Sequence, residues 1–137
     1  MGIDAAPLAI QKARAKARER ESTAEFLVAD ALSLNKLGMR FDVATDCGLF
    51  HTFSDRERML FVESLRQTLH PRGKYFMLCF SDLEPADWGG PRRVTKEEIS
   101  ASFSKGWDVD SIRAARFEGS HLGPGGHAWL AALSRTG

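Results

Sequence analysis

The chain reads as an α/β domain: a mostly parallel sheet with helices on both faces, closed by a C-terminal antiparallel strand pair. Three observations predict this. Short apolar runs alternate with helix-length amphipathic segments along the 137 residues. The run KYFMLCF, 74–80, is almost wholly apolar, as expected of a central parallel strand buried on both faces. The last two strand-like runs, 107–117 and 127–134, are joined through Gly123-Pro124-Gly125-Gly126, a hairpin-like connection.

Each element has its own reason. Gly2-Ile3-Asp4 ends an extended segment, and a helix follows over 5–21 with Pro7 in its first turn. Ala9, Ala13 and Ala17, beside Ile10, form a small-residue stripe suited to packing on a sheet. Lys12, Arg14, Lys16, Arg18 and Arg20 make the other face, read as solvated. AEFLVA, 24–29, is a short strand ending at Asp30, and 31–40 is a loop with a helical turn. FDVAT, 41–45, is the next strand. Ser54 and Glu57 form a capping box for a helix over 55–69 that buries Phe61, Val62, Leu65 and Leu69. His70-Pro71-Arg72-Gly73 is expected to stop it. After strand 74–80 comes a loop, 81–94, and then a second capping box, Thr95 and Glu98, before a short helix. One domain, 1–137, accounts for every segment.

Composition excludes several function classes. Nineteen basic and eighteen acidic residues leave a net charge of +1, which argues against a nucleic-acid partner gripped through bulk charge. No apolar run approaches a membrane span, and the N-terminus lacks the pattern of a secretory signal. Cys47 and Cys79 have neither metal-ligand nor disulfide-framework spacing, so a reducing, cytoplasmic setting and no metal are expected.

In open α/β sheets ligands bind beyond the carboxyl ends of the strands. Asp4, Asp30 and Asp46 each stand at such an end. Asp4 can accept hydrogen bonds from a ribose diol or cap the helix that follows. Asp30 is open to the same turn or cap reading.

At this point a resemblance becomes specific. GID-AAPLAI, VADALSL, FDVATDCGLFHTF, HPRGKYFMLCFSD and the terminal strand pair, in that order, resemble the Rossmann-like class of S-adenosylmethionine-dependent methyltransferases. FDVATDCGLFHTFSDRER, CFSD and WGGPRRVTKEEI resemble more narrowly the thiopurine-methyltransferase-like branch, which acts on small molecules. The resemblance implies S-adenosylmethionine as cofactor. It places Asp4 on the ribose hydroxyls, Asp30 on the adenine amino group and the Ala31 N–H on the ring. Asp46, Cys47 and Gly48 would lie near the methionine part, with Leu49, Phe50 and His51 along the wall.

The chain departs from the family at its start. The family's first strand and Gly-rich loop have no counterpart here, which reads as an N-terminally truncated domain that by itself binds the cofactor weakly or not at all. The function expected is methyl transfer to a small-molecule acceptor bearing a thiol, phenol or similar nucleophile. The alternatives are a non-catalytic remnant acting as a binding or structural module, and a nucleotide- or NAD-binding domain of other chemistry. Phe50 is expected to offer a π face to the cationic donor. His51 is expected either to take a proton from the acceptor or to bond to backbone. Trp88 is a candidate cover for the acceptor. Arg92 and Arg93 are candidate anion ligands or solvated loop residues.

Overall fold

The computed structural model describes residues 1–85, 87, 89–118 and 125–137. Strand β1 (Gly2–Asp4) lies parallel to β2 (Phe26–Val28), with Gly2 opposite Phe26 and Asp4 opposite Val28. Helix α1 (Pro7–Glu19) connects them, with Pro7 in its first turn, where the missing N–H costs nothing. Ala9, Ala13 and Ala17 are half-buried and Ile10 is buried, whereas the basic face is exposed. Arg14 leaves that face to donate from Nε and Nη2 to the Phe26 carbonyl, at 3.0 and 2.6 Å, tying α1 to β2.

A second sheet has the order β3-β4-β6-β5. β3 (Phe41–Cys47) and β4 (Leu69–Phe80) are parallel, and β6 (His127–Arg135) is antiparallel to both β4 and β5 (Trp107–Arg116). This is the mixed sheet with an antiparallel C-terminal pair that the residue pattern predicts. The sheet order leaves β1 and β3 each with one unpaired edge among the described residues.

Helix α2 (Asp55–Thr68) starts in the Ser54/Glu57 capping box, and α3 (Lys96–Ser102) in the Thr95/Glu98 box. The core lies where these two helices meet β4. Phe61 and Leu65 pack with Tyr75, Met77 and Cys79, and with Ile99 and Phe103.

Two expectations about β4 need correction. His70-Pro71-Arg72-Gly73 does not stand outside the strand. It forms an irregularity inside it, because Phe41 pairs with Leu69 while Val43 pairs with Lys74. Arg72 takes a left-handed φ of 66° to make the excursion. Nor is KYFMLCF buried on both faces. Tyr75, Met77 and Cys79 are buried by the helices, but Phe76 is 40% exposed on the opposite face. Trp88, His121, Gly123 and Pro124 lie outside the described residues.

Candidate active site

The carboxyl ends of β1, β2 and β3 open on one cavity of about 580 Å³, within the size range of small-molecule sites. Its polar wall is built from residues at or just beyond the strand ends: Asp4 and Ala5, Asp30 and Ala31, Asp46 and Cys47. Its apolar depth runs between the free edges of β1 and β3, past Ile3, Val43 and Ala44, to Phe61, Leu65 and Tyr75.

Each carboxylate has a local reason for its position. Oδ1 of Asp4 accepts from the Ala6 N–H at 2.7 Å, closing the turn into α1. Oδ1 of Asp30 accepts from the Leu32 N–H at 2.9 Å, capping the 3-10 helix Ala31–Leu37. The turn and cap readings of these residues are therefore realised. No other hydrogen bond occupies either carboxylate within the described residues, and both line the cavity.

Asp46 is held more completely. Oδ1 accepts from the Leu49 N–H at 2.8 Å, and Oδ2 accepts from the Phe50 N–H at 3.2 Å and the Tyr75 hydroxyl at 2.7 Å. Burial raises its pKa above the ordinary carboxylate value, and these three donors pull the other way. The phenol of Tyr75 is wholly buried, and burial followed by the adjacent carboxylate pushes it well above its usual value. The phenol therefore stays neutral and keeps the proton that it donates toward Asp46.

The turn that Asp46 closes carries Gly48, whose φ of 89° lies in the region that excludes most side chains. Beyond it, Phe50 and His51 diverge. Phe50 is fully buried, with its ring 5.8 Å from Phe103 and the Arg58 guanidinium 4.7 Å above its face. This corrects the expectation that Phe50 offers its π face to a ligand, since Arg58 already occupies it. Its alternation with His51 on a short 3-10 turn carries it into the core.

His51 is 5% exposed. Its Nδ1 accepts from the Phe80 peptide N–H at 3.1 Å, so the backbone-bonded reading is realised. Its ring lies 4.8 Å from Phe80 and 6.0 Å from Phe117, and those two rings are 4.4 Å apart. Burial, with a smaller push from the Arg58 charge, lowers its pKa.

Of the sequence-expected residues, Asp4, Asp30, Ala31, Asp46, Cys47 and Leu49 line the cavity, whereas Gly48, Phe50 and His51 do not. Cys47 is exposed; Cys79 is buried in the core, which pushes its thiol up to about 12. Arg92 bridges Asp55 at 2.7 Å and also Glu98, and Arg93 donates to the Glu84 carbonyl at 2.7 Å, so both pin the loop. Sequence reasoning missed Tyr75, which lines the cavity, and Phe117, which packs against His51 and Phe80. Among the described residues no helix is long and apolar enough to cross a membrane.

Comparison with known proteins places this arrangement. A family model described as a methyltransferase domain matches residues 1–73, more than half of the chain. The chain is 36% identical over 118 residues to 2-heptyl-1-hydroxyquinolin-4(1H)-one methyltransferase of Mycobacteroides abscessus, covering 85% of this chain and 52% of that protein. It thus spans about half the length of that relative. Among solved structures, one described under conversion of a disulfide bond into a thioacetal group during echinomycin biosynthesis matches with a TM-score of 0.85 and 30% identity. That match covers 98% of this chain and 65% of the other. A SAM-dependent methyltransferase of Methanosarcina mazei matches in fold, with a TM-score of 0.80 at 18% identity over 98% of this chain and 81% of its own. The chain therefore belongs to the methyltransferase domain family.

Proposed function

We propose that the chain carries the donor site of an S-adenosylmethionine-dependent methyltransferase that acts on a small molecule. The observation that carries this reading is the convergence of Asp4, Asp30 and Asp46 on one cavity. The donor set fits the group. Carboxylates at the mouth suit a cationic ligand with a diol and an exocyclic amine, and the apolar walls exclude water from it. Asp4 takes the ribose hydroxyls, Asp30 the adenine amino group and the Ala31 N–H the ring. Cys47 and Gly48 flank the methionine end, on the turn that Asp46 holds shut. S-adenosylmethionine supplies an electrophilic methyl group on a sulfonium. The protein's part is to hold the acceptor in line with it and to keep water away.

The acceptor in this reading is a small, fairly apolar molecule with a thiol, phenol or similar nucleophile, as in the thiopurine-methyltransferase-like branch. The quinolone acceptor in the name of the Mycobacteroides relative supports the small-molecule class. We also read the apolar length of the cavity as the seat of one further parallel strand. The facing unpaired edges of β1 and β3, and Val43, 53% exposed on β3, support this.

Titration with S-adenosylhomocysteine, followed by amide NMR, tests the donor site. The resonances of Asp4, Asp30, Ala31 and Cys47 are expected to move together. Shifts confined to other residues would remove the donor site from this cavity.

A further inference from the structure

The aromatic corner beside Gly48 supports a second step, which rests on the methyl-transfer reading and concerns the acceptor. A peptide N–H can only donate. The Nδ1 that accepts from Phe80 therefore carries no proton, and the neutral ring of His51 keeps its proton on Nε2. Nε2 makes no hydrogen bond within the described residues. It faces Gly48: a Cβ built there would lie 3.9 Å from Nε2 and 3.8 Å from Cε1 of Phe117. Among the described residues, the missing side chain of Gly48 thus leaves room beside Nε2 in this aromatic corner.

The corner adjoins the cavity, because Cys47 and Leu49 on either side of Gly48 both line it. It also lies at the carboxyl ends of three strands, with Gly48 after β3, Phe80 ending β4 and Phe117 after β5. β5 runs in the same direction as β4, since both are antiparallel to β6.

Proton abstraction by His51 would require a different ring. Nε2 would have to start bare and Nδ1–H would then meet the Phe80 N–H, donor against donor. The imidazolium has the same conflict. We propose that His51 orients a planar aromatic methyl acceptor by donating from Nε2–H to its oxygen, with the Phe80 and Phe117 rings packed beside it. The acceptor's proton goes to solvent, not to His51.

Nitrogen-15 NMR of the labelled chain at pH 7 reads the tautomer directly, with the His51 signals assigned by their loss in His51→Gln. The expected result is a protonated Nε2 and a bare Nδ1; an Nδ1–H tautomer or an imidazolium overturns the inference. Titration with 2-heptyl-1-hydroxyquinolin-4(1H)-one gives the second readout. Affinity is expected to fall roughly 10-fold in His51→Leu, the loss of about one hydrogen bond. His51→Gln, which keeps an N–H donor, should stay nearer the parent. No binding of this probe, or equal binding by parent and His51→Leu, overturns the acceptor assignment. The donor titration is separate. Its failure would undo the methyl-transfer reading, whereas a wrong tautomer with donor binding intact would undo only the role of His51.

Discussion

The hydroxyl of Tyr75 donates to Oδ2 of Asp46 across 2.7 Å, joining the centre of the core to the rim of the cavity. Tyr75 sits on β4 among Phe61, Phe103 and Trp107, with ring centroids 6.0, 5.8 and 6.4 Å away. Asp46 in turn folds residues 46–50 through the Leu49 and Phe50 N–H groups. Core packing is thereby transmitted to the turn that presents Cys47 and Gly48. A carboxyl group already accepting three hydrogen bonds acts at this site chiefly by shaping that turn.

Tyr75→Phe keeps the packing and removes one donor to a charged group. It is expected to cost about 1.5–3 kcal/mol in urea unfolding. The phenol lowers the Asp46 pKa against the larger effect of burial, so its loss should move the Asp46 titration further up in NMR. An unmoved titration would mean that the phenol does not bond the carboxylate in solution.

Asp46→Ala strands the donors of the turn and should cost at least about 2 kcal/mol. Asp46→Asn retains one acceptor oxygen and should cost less. The sign of its pH dependence follows from the raised folded pKa of Asp46. The stabilising contribution of Asp46 is complete below its unfolded pKa and declines as pH rises through the folded value. The deficit of Asp46→Asn relative to the parent should therefore be larger near pH 3 than at pH 7. Equal deficits at both would remove burial as the cause.

How much of this the sequence disclosed depends on the range of the interaction. Both capping boxes are local, with partners three positions apart, and both form as the pattern predicts. Asp4, Asp30 and Asp46 are legible because strand ends carry a fixed topological meaning. The Tyr75–Asp46 bond spans 29 residues, and nothing near Tyr75 marks it. Phe50 and His51 are adjacent in an aromatic segment, and only tertiary packing sends one inward under Arg58 and the other toward Phe80. The excursion at 70–73 was hidden because Pro and Gly signal a break in either case, whether between elements or within a strand.

Asp4 serves a turn and, in the proposed function, a ligand, and two variants separate these roles. Asp4→Asn can still accept from the Ala6 N–H, whereas Asp4→Ala cannot. Both lose the charge-assisted bonds to a diol, so both should weaken donor binding by about 1.5–3 kcal/mol in calorimetry. Only Asp4→Ala should also lose stability, by about 1 kcal/mol. Donor affinity that survives in Asp4→Asn would leave Asp4 as a turn residue alone.

The neutral state of His51 should be visible in folding. Its folded pKa is lowered from the ordinary 6.5, first by burial and then by the Arg58 charge. Below pH 6.5 the unfolded chain takes up a proton that the folded chain resists, so the unfolded state gains. The stability contributed by His51 is thus fully present above about pH 6.5 and is lost as pH falls toward the folded pKa. Urea unfolding at pH 7.5, 6.5, 5.5 and 5.0 should show the parent losing stability over the lower half of that range. His51→Gln has no group to titrate there and should show a smaller slope, while its acceptance from the Phe80 N–H can pass to the side-chain oxygen. The remaining histidines contribute equally to both proteins, so the difference between the two slopes isolates position 51. Parallel slopes would mean that His51 protonates as readily in the folded chain as in the unfolded one, and the donor-against-donor conflict with Phe80 would then be absent in solution.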